Sequence, residues 1–508
     1  MLVCFAFFCN FATDMKKSTG KAQRVKKLLK PLLILLWGVA CFLFFQTQFP
    51  YHFFYEEQNQ LFLMDWGCVS TYFDKPAWLA CLVGDFLTQF YYYLYAGAAI
   101  LTVSLLILGD LVRRCFERCF EGHRRMTLLG WIAFALAIAA MTLEARLSLY
   151  EGYKLGCIIA LIGSTALWYA HSTLNEWAHR WWVHTPTLLV LVPLTYWLFG
   201  FGLVVVFMFE ILRIALLPRK SRWRYTALIP FCLAAMLPNI FMRKVSEHYC
   251  FGKREVMLYP CVINWVDYDQ AVILERNFAY DNEYYFGHYE KVIQMYESNT
   301  EPETEEMCFF YCLSLAQLDQ LPDKLMTMKN PVLGTFYKIG PDTPLYTTKM
   351  INELYYLLGD MTYAERAALL ANTFSPRGRN VRMVKRLAET NLVKGDDMAA
   401  MKYLRLLSKT WVYRQWAANH TPATMTDAVR QEVARKRQFI NKTDHIRVGD
   451  DCYTILTQLL NSTPANTVAL DYLLCSDIVA RQKEVFHRDY EKYGPRQKAL
   501  YQQALTLE

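Results

Sequence analysis

Nearly all long apolar runs in this 508-residue chain lie before Arg243, and that asymmetry constrains the fold more than any other feature. The runs occupy 31–45, 91–108, 127–143, 155–170, 186–217 and 225–241. Leu28 and Leu29 extend the first of them. A helix crosses a hydrocarbon core of about 30 Å with roughly 20 mainly apolar residues, so these runs are expected to be transmembrane helices. The run at 186–217 is too long for one crossing: as a straight helix it would measure about 48 Å. Gly200 and Gly202 sit at its middle, where the chain can turn back.

Charge decides how that run is read. If it folds into a hairpin there are about seven spans, and the basic segments all fall on one side. These are the N-terminal tail, then Arg113, Arg114, Arg118, Arg124 and Arg125, then Arg180, then Arg213, Arg219, Lys220, Arg222 and Arg224. The loops opposite hold only Lys75, Arg146 and Lys154. One long span would move the last basic cluster across, against the excess of Lys and Arg in cytoplasmic loops. The expectation is therefore an N-terminus in the cytoplasm and a C-terminal domain in the periplasm, as suits a bacterial inner-membrane protein. Residues 1–27 read as a basic cytoplasmic tail with Met15 as the expected start, and no small-x-small cleavage site follows the first run. Residues 28–242 form the transmembrane domain. The net charge of +8 is thus largely a topology signal, and no nucleic-acid partner is inferred from it.

Residues 243–508 are a different material, with frequent charge and apolar residues at helical spacing. The segment from Arg386 to Leu404 has the small–large alternation around Gly395 of a tetratricopeptide-like helix hairpin. Gly359 occupies the same place 36 residues earlier, and Gly287 lies a further 72 back, close to multiples of the 34-residue period. Weaker units run over 309–326 and 465–490. The fold class is all-α: a polytopic helical bundle followed by an extracytoplasmic α-solenoid, whose concave face suits a protein or peptide partner. Aromatic residues make up 15% of the chain, which excludes disorder for most of it.

No CxxC, GxxxxGK[ST], HExxH or GxSxG motif is present, so no cofactor is indicated. Chemistry is best sought in the first outer loop, 46–90, which is far longer than the others. Two juxtamembrane helices are expected there, one through Glu56, Glu57, Gln58 and Gln60 to Leu63, the other starting at Pro76. Glu56, Glu57, Asp65 and Asp85 would then be held at the outer membrane surface, as solvated groups or as catalytic carboxylates. Among embedded acids, Asp110, Glu144 and Glu210 lie near span ends beside cations, which favours local pairing over a proton path. The stretch 171–184 carries three His and three Trp, but its His spacings of eight and five suit an interfacial aromatic belt better than a metal site. Cys250 and Cys261 are a possible disulfide pair, whereas Cys308 and Cys312 share a helix face and read as core. Cys115 and Cys119 flank a basic turn where acylation is conceivable.

Two resemblances follow from these segments. The stretches 57–62 (Glu57-Gln58-Asn59-Gln60-Leu61-Phe62), 84–90 (from Gly84-Asp85-Phe86) and 498–505 (from Lys498-Ala499-Leu500) resemble an uncharacterised family of bacterial multi-pass membrane proteins with a helical C-terminal domain. That likeness runs from Leu28 to the end and implies architecture only. The long acidic first loop, about seven spans and outer domain also resemble polyprenyl-phosphate-sugar-dependent GT-C glycosyltransferases. That second likeness implies a loop carboxylate acting as base or holding a divalent metal. The leading reading is a membrane-anchored interaction protein, with the glycosyltransferase as the alternative.

Overall fold

In the apolar half, helices run back and forth between two ends of a bundle, as expected of segments that satisfy their own backbone and bury one face. The computed structural model describes residues 20–120, 127–147, 155–174, 181–216, 228–234, 236–238, 240, 259–260, 268–328, 333, 339–340, 342–375, 378–441, 451–494 and 496–506. Helix α1 (Gly20–Gln48) is followed by three short helices of the first loop, α2 (His52–Gln58), α3 (Trp66–Ser70) and α4 (Trp78–Thr88). Then come α5 (Ala96–Cys119), α6 (Thr127–Leu147), α7 (Leu155–Leu174), α8 (Trp181–Phe199), α9 (Leu203–Leu216) and α10 (Leu228–Ala234). Leu35, Leu136, Val190, Met208 and Ile211 are exposed on the bundle's outside, an apolar surface of the kind that lipid covers. By length and composition four stretches can cross a membrane: Pro31–Gln48, Ala96–Cys119, Leu155–Thr173 and Val183–Leu216.

The last of these stretches is folded in two. His184 Nε2 lies 2.7 Å from Glu210 Oε1 although 26 positions separate them, which would be about 39 Å along a straight helix. The reversal is made at Gly200, which has φ +56, a backbone that L side chains rarely adopt. A Cβ there would also come within 2.3 Å of Tyr259 O and 2.8 Å of Ala77 Cβ. The turn is thus wedged against the first loop, and Phe201 N donates to Tyr259 O at 3.0 Å. At the other end, Cys115 Sγ of α5 lies 3.8 Å from Thr165 O of α7. Asp110 pairs locally with Arg113 and Arg114, as expected. Glu210 does not pair as expected: it meets His184 rather than its own helix's Arg213. Tertiary proximity across the hairpin has displaced the local partner. The side chains of Glu144 and Arg146, and residues Lys154, Cys250 and Cys261, lie outside the described residues, as do positions 1–19.

The polar half is helical throughout, with no strand among the described residues. It comprises α11 (Tyr268–Tyr285), α12 (Tyr289–Glu297), α13 (Glu305–Gln317), α14 (Leu321–Lys324), α15 (Leu345–Leu358), α16 (Met361–Phe374), α17 (Val381–Lys394) and α18 (Asp397–Ser408). Then follow α19 (Arg414–His420), α20 (Asp427–Arg437), α21 (Cys452–Ser462), α22 (Thr467–Val479), α23 (Lys483–Tyr493) and α24 (Ala499–Thr506). Gly287, Gly359 and Gly395 follow the first helices of the α11–α12, α15–α16 and α17–α18 hairpins at φ +77, +85 and +85. Asp360 and Asp396, each next after its glycine, cap the following helices through Tyr363 N and Ala399 N. The helices do not stay in an open row. Asn466 Nδ2 donates to Leu358 O at 2.7 Å and Lys498 reaches Asp323 at 2.9 Å. These contacts bring α21–α24 back onto α13–α15, and one core runs from Phe278 to Tyr501. Cys308 and Cys312 are buried thiols in it.

Helix α4 crosses α7 so closely that a Cβ on Gly84 would sit 2.6 Å from Gly156 N. Backbone cannot yield there, so Gly84→Ala is expected to cost about 1–3 kcal/mol as overpacking and to lower the thermal midpoint in detergent. Gly67→Ala, where the nearest atom is 3.6 Å away, serves as the control; equal midpoints for the two variants would refute the close crossing.

Candidate functional site

The first loop does not stand free at the membrane surface; α2 is inserted into the helical domain. Its N-terminal side lies against α11. Tyr51 N donates to Glu275 Oε1 at 2.5 Å, Asn282 Nδ2 donates to Tyr51 O at 3.0 Å, and the Tyr55 ring stacks on Phe278 at 4.1 Å. His52 Nδ1 is 3.7 Å from Glu275 Oε2. Burial pushes the imidazole down to about 3 and the carboxyl up to about 8, so this contact joins two neutral groups rather than an ion pair.

The C-terminal side of α2 meets α15 and α17. Arg382 is 4% exposed, and its guanidinium is shared among three acceptors. Nη1 donates to Asp281 Oδ1 at 2.8 Å and to Gln58 Oε1 at 3.1 Å, while Nη2 donates to Glu353 Oε1 at 2.9 Å. Arg386 takes the other oxygen of Glu353 and the Asn352 amide. Despite burial, the two arginines hold the Glu353 carboxyl down to about 2. Lys349 Nζ donates to Asn59 Oδ1, which also accepts from Asn380 Nδ2 at 3.2 Å. Burial, with Arg382 nearby, brings that lysine down to about 7. Asn380 in turn caps α17 through Met383 N. Beyond Asn59 the chain is extended, not helical as far as Leu63, because its backbone is taken by the domain. Val381 N donates to Gln60 O at 3.1 Å and Met64 N donates to Lys409 O at 2.7 Å. The second loop helix begins at Trp78 rather than Pro76, since Ala77 is left-handed at φ 57 and donates to Tyr196 O.

The four carboxylates singled out in the sequence are dispersed along this seam. Glu57 is buried, accepts from Tyr413 Oη at 2.9 Å, and is pushed up to about 8 by burial. Asp85 is buried within the loop and accepts from Tyr72 Oη at 2.7 Å. Asp65 is partly exposed, 3.0 Å from Lys409 Nζ, which holds its carboxyl below the ordinary range. Glu56 is half-buried on α2, beside Glu57. Of the four, Asp65 lines an open apolar recess of about 380 Å³ with Phe62, Trp66 and Phe86. The arrangement therefore clamps a domain, and it places one carboxylate at the rim of an apolar recess. Sequence reading missed Arg382, Lys349, Glu353 and Asp281. Their only local signal was the basic spacing at 382, 385 and 386, which a solvated helix face also shows.

Replacing Arg382 by Met would leave Asp281 buried without its cation and Glu353 with Arg386 alone, an expected loss of about 3–5 kcal/mol seen as a lower thermal midpoint and faster proteolysis between the halves. Unchanged proteolysis would refute the clamp. The seam also makes stability depend on pH. Glu57 and Glu275 have folded values of about 8, above their ordinary 4.5. Their contribution is full below 4.5 and is lost as pH rises towards 8. Two groups act in the opposite sense: Lys349 only between about 7 and its ordinary 10.5, and His52 between about 3 and its ordinary 6.5, so that one imidazole offsets part of the effect of the two carboxyls. Between pH 5 and 7 the thermal midpoint should therefore fall, and Glu57→Gln should flatten the fall while keeping the Tyr413 bond.

A family profile described as a family of unknown function (DUF6057) matches residues 24–507, and the chain belongs to that family. No curated protein and no solved structure gives a significant match.

Proposed function

For this member of that family, we propose a multi-pass protein of the bacterial inner membrane that holds a helical domain against the outer surface for a protein or peptide partner. Seven crossings are counted by folding 186–217 into two and taking 225–241 as the last. The N-terminus lies in the cytoplasm and residues 243–508 in the periplasm. The observation that carries this reading is the buried seam. The domain is clamped through α2 to the loop between the first two crossings. Its orientation to the bilayer is thereby set, as a receptor or scaffold facing one side requires. The tetratricopeptide-like units, two of which join their helices through Gly359-Asp360 and Gly395-Asp396, are the part of the domain suited to peptide capture.

The recess beside Asp65 favours a second reading, a GT-C-type glycosyltransferase using a polyprenyl-phosphate sugar. An apolar trough with a carboxylate at its rim would suit a lipid-linked donor, with Asp65 as base or metal ligand. The seam leaves Glu57 unsuited to that role, since a protonated, tyrosine-bonded carboxyl is neither base nor ligand.

Topology and role are tested together in the intact chain. Alkaline phosphatase fused after Glu508 should be active and the same enzyme inserted after Arg125 inactive; the reverse would overturn the orientation. Cross-linking in cells followed by purification of the full chain should recover a defined periplasmic partner. Altered envelope glycans in an Asp65→Asn strain, with no partner recovered, would instead establish the enzyme.

A further inference from the structure

The hairpin of α8 and α9 assembles a second group of residues at the end of the bundle away from the first loop. His171 of α7, His184 of α8 and Glu210 of α9 each present one ligand atom, and these atoms lie within 4.8 Å of one another. All three side chains are buried, Glu210 completely. We propose that they form a binding site for one divalent transition-metal ion of the zinc class.

Three physical arguments support the site. The first is the donor set. Two imidazoles and one carboxylate suit a borderline metal such as Zn²⁺, with a fourth position open to water. Tetrahedral ligand atoms about 2.1 Å from an ion stand roughly 3.4 Å apart, so the observed triangle closes on an ion with small side-chain movements. The second is charge. Glu210 is fully buried beside the buried indole of Trp168, where an ionised carboxylate needs a cation. Arg213, one turn on, lends positive charge, but its buried Nη1 has no hydrogen-bond partner among the described residues. The imidazole rings of His171 and His184 stack at 5.4 Å and 24°. Two imidazolium ions would repel each other in that arrangement, and neutral imidazole is the form that binds a metal.

The third is the outer layer of the site. Trp168 Nε1 donates to Glu210 Oε2 at 3.1 Å, fixing the carboxylate so that Oε1 faces the imidazoles. Such oriented second contacts accompany metal ligands. Trp168 is a positioning residue here, not a ligand. The site depends on the folded-back hairpin and not on which side of the bilayer that end faces. Because Glu210 is 26 positions from His184, the spacing of the histidines in sequence gave no sign of it.

The test uses the full chain purified in detergent. After loading with Zn²⁺ and removal of excess, elemental analysis should find one ion per chain, and Co²⁺ in its place should give the visible absorption of a four-coordinate site. His184→Ala and Glu210→Gln should lose the ion. Trp168→Phe should weaken binding by roughly ten- to hundredfold, and His171→Asn should abolish it. These last two carry the test if the Glu210 variant fails to fold. The proposal is overturned if the monodisperse wild type takes up neither ion. It is equally overturned if monodisperse His171→Asn binds both as the wild type does; the cluster would then be a His–Glu proton pair.

Discussion

A guanidinium buried between two carboxylates is the interaction on which the arrangement of the two halves depends. Arg382 is withdrawn from water, so its charge is tolerable only while Asp281, Glu353 and Gln58 all remain in place. Two of those acceptors belong to the helical domain and one to the first loop. The loop is therefore a structural member of the domain it meets. Lys349 and Asn380, both reaching Asn59, repeat the same logic a turn away. Polar groups buried in this way rigidify a contact because each loses more if its partner leaves than an apolar contact would.

The fold-back at Gly200 is the second constraint, and it acts at the same end of the bundle. Its turn is held by Tyr259 O, while Ala77 of the first loop donates to Tyr196 O of α8. The loop is thus anchored below by the hairpin and above by the helical domain. At the opposite end the same reversal brings α9 alongside α7 and α8, so that Glu210 meets His184 and Trp168. One backbone conformation open to glycine organises both ends.

Where the sequence could be read, the controlling physics was local. The hairpin was legible because 32 apolar residues exceed one bilayer thickness and two glycines mark the middle. The helix pairs around Gly359 and Gly395 were legible because a glycine between two apolar-periodic segments ends one helix in the left-handed region and lets the next begin. The loop was misjudged for the opposite reason. Its amphipathic pattern suggested a helix from Glu56 to Leu63, but the domain recruits the backbone from Gln60 onward. Glu57 was expected at a solvated surface and is instead buried under Tyr413.

By itself the sequence determined an all-helical chain in two parts, with the apolar part first and its long run bent at Gly200. Those properties follow from hydrophobic length, glycine conformations and caps, which act within a few residues. Only the tertiary structure decided which charges are buried, which carboxylates act as fasteners, and that the last four helices close back on the domain. Each of these rests on partners that are distant in the chain, from Arg382 with Gln58 to Glu210 with His184. The free energy of a buried charge is set by the groups that surround it after folding.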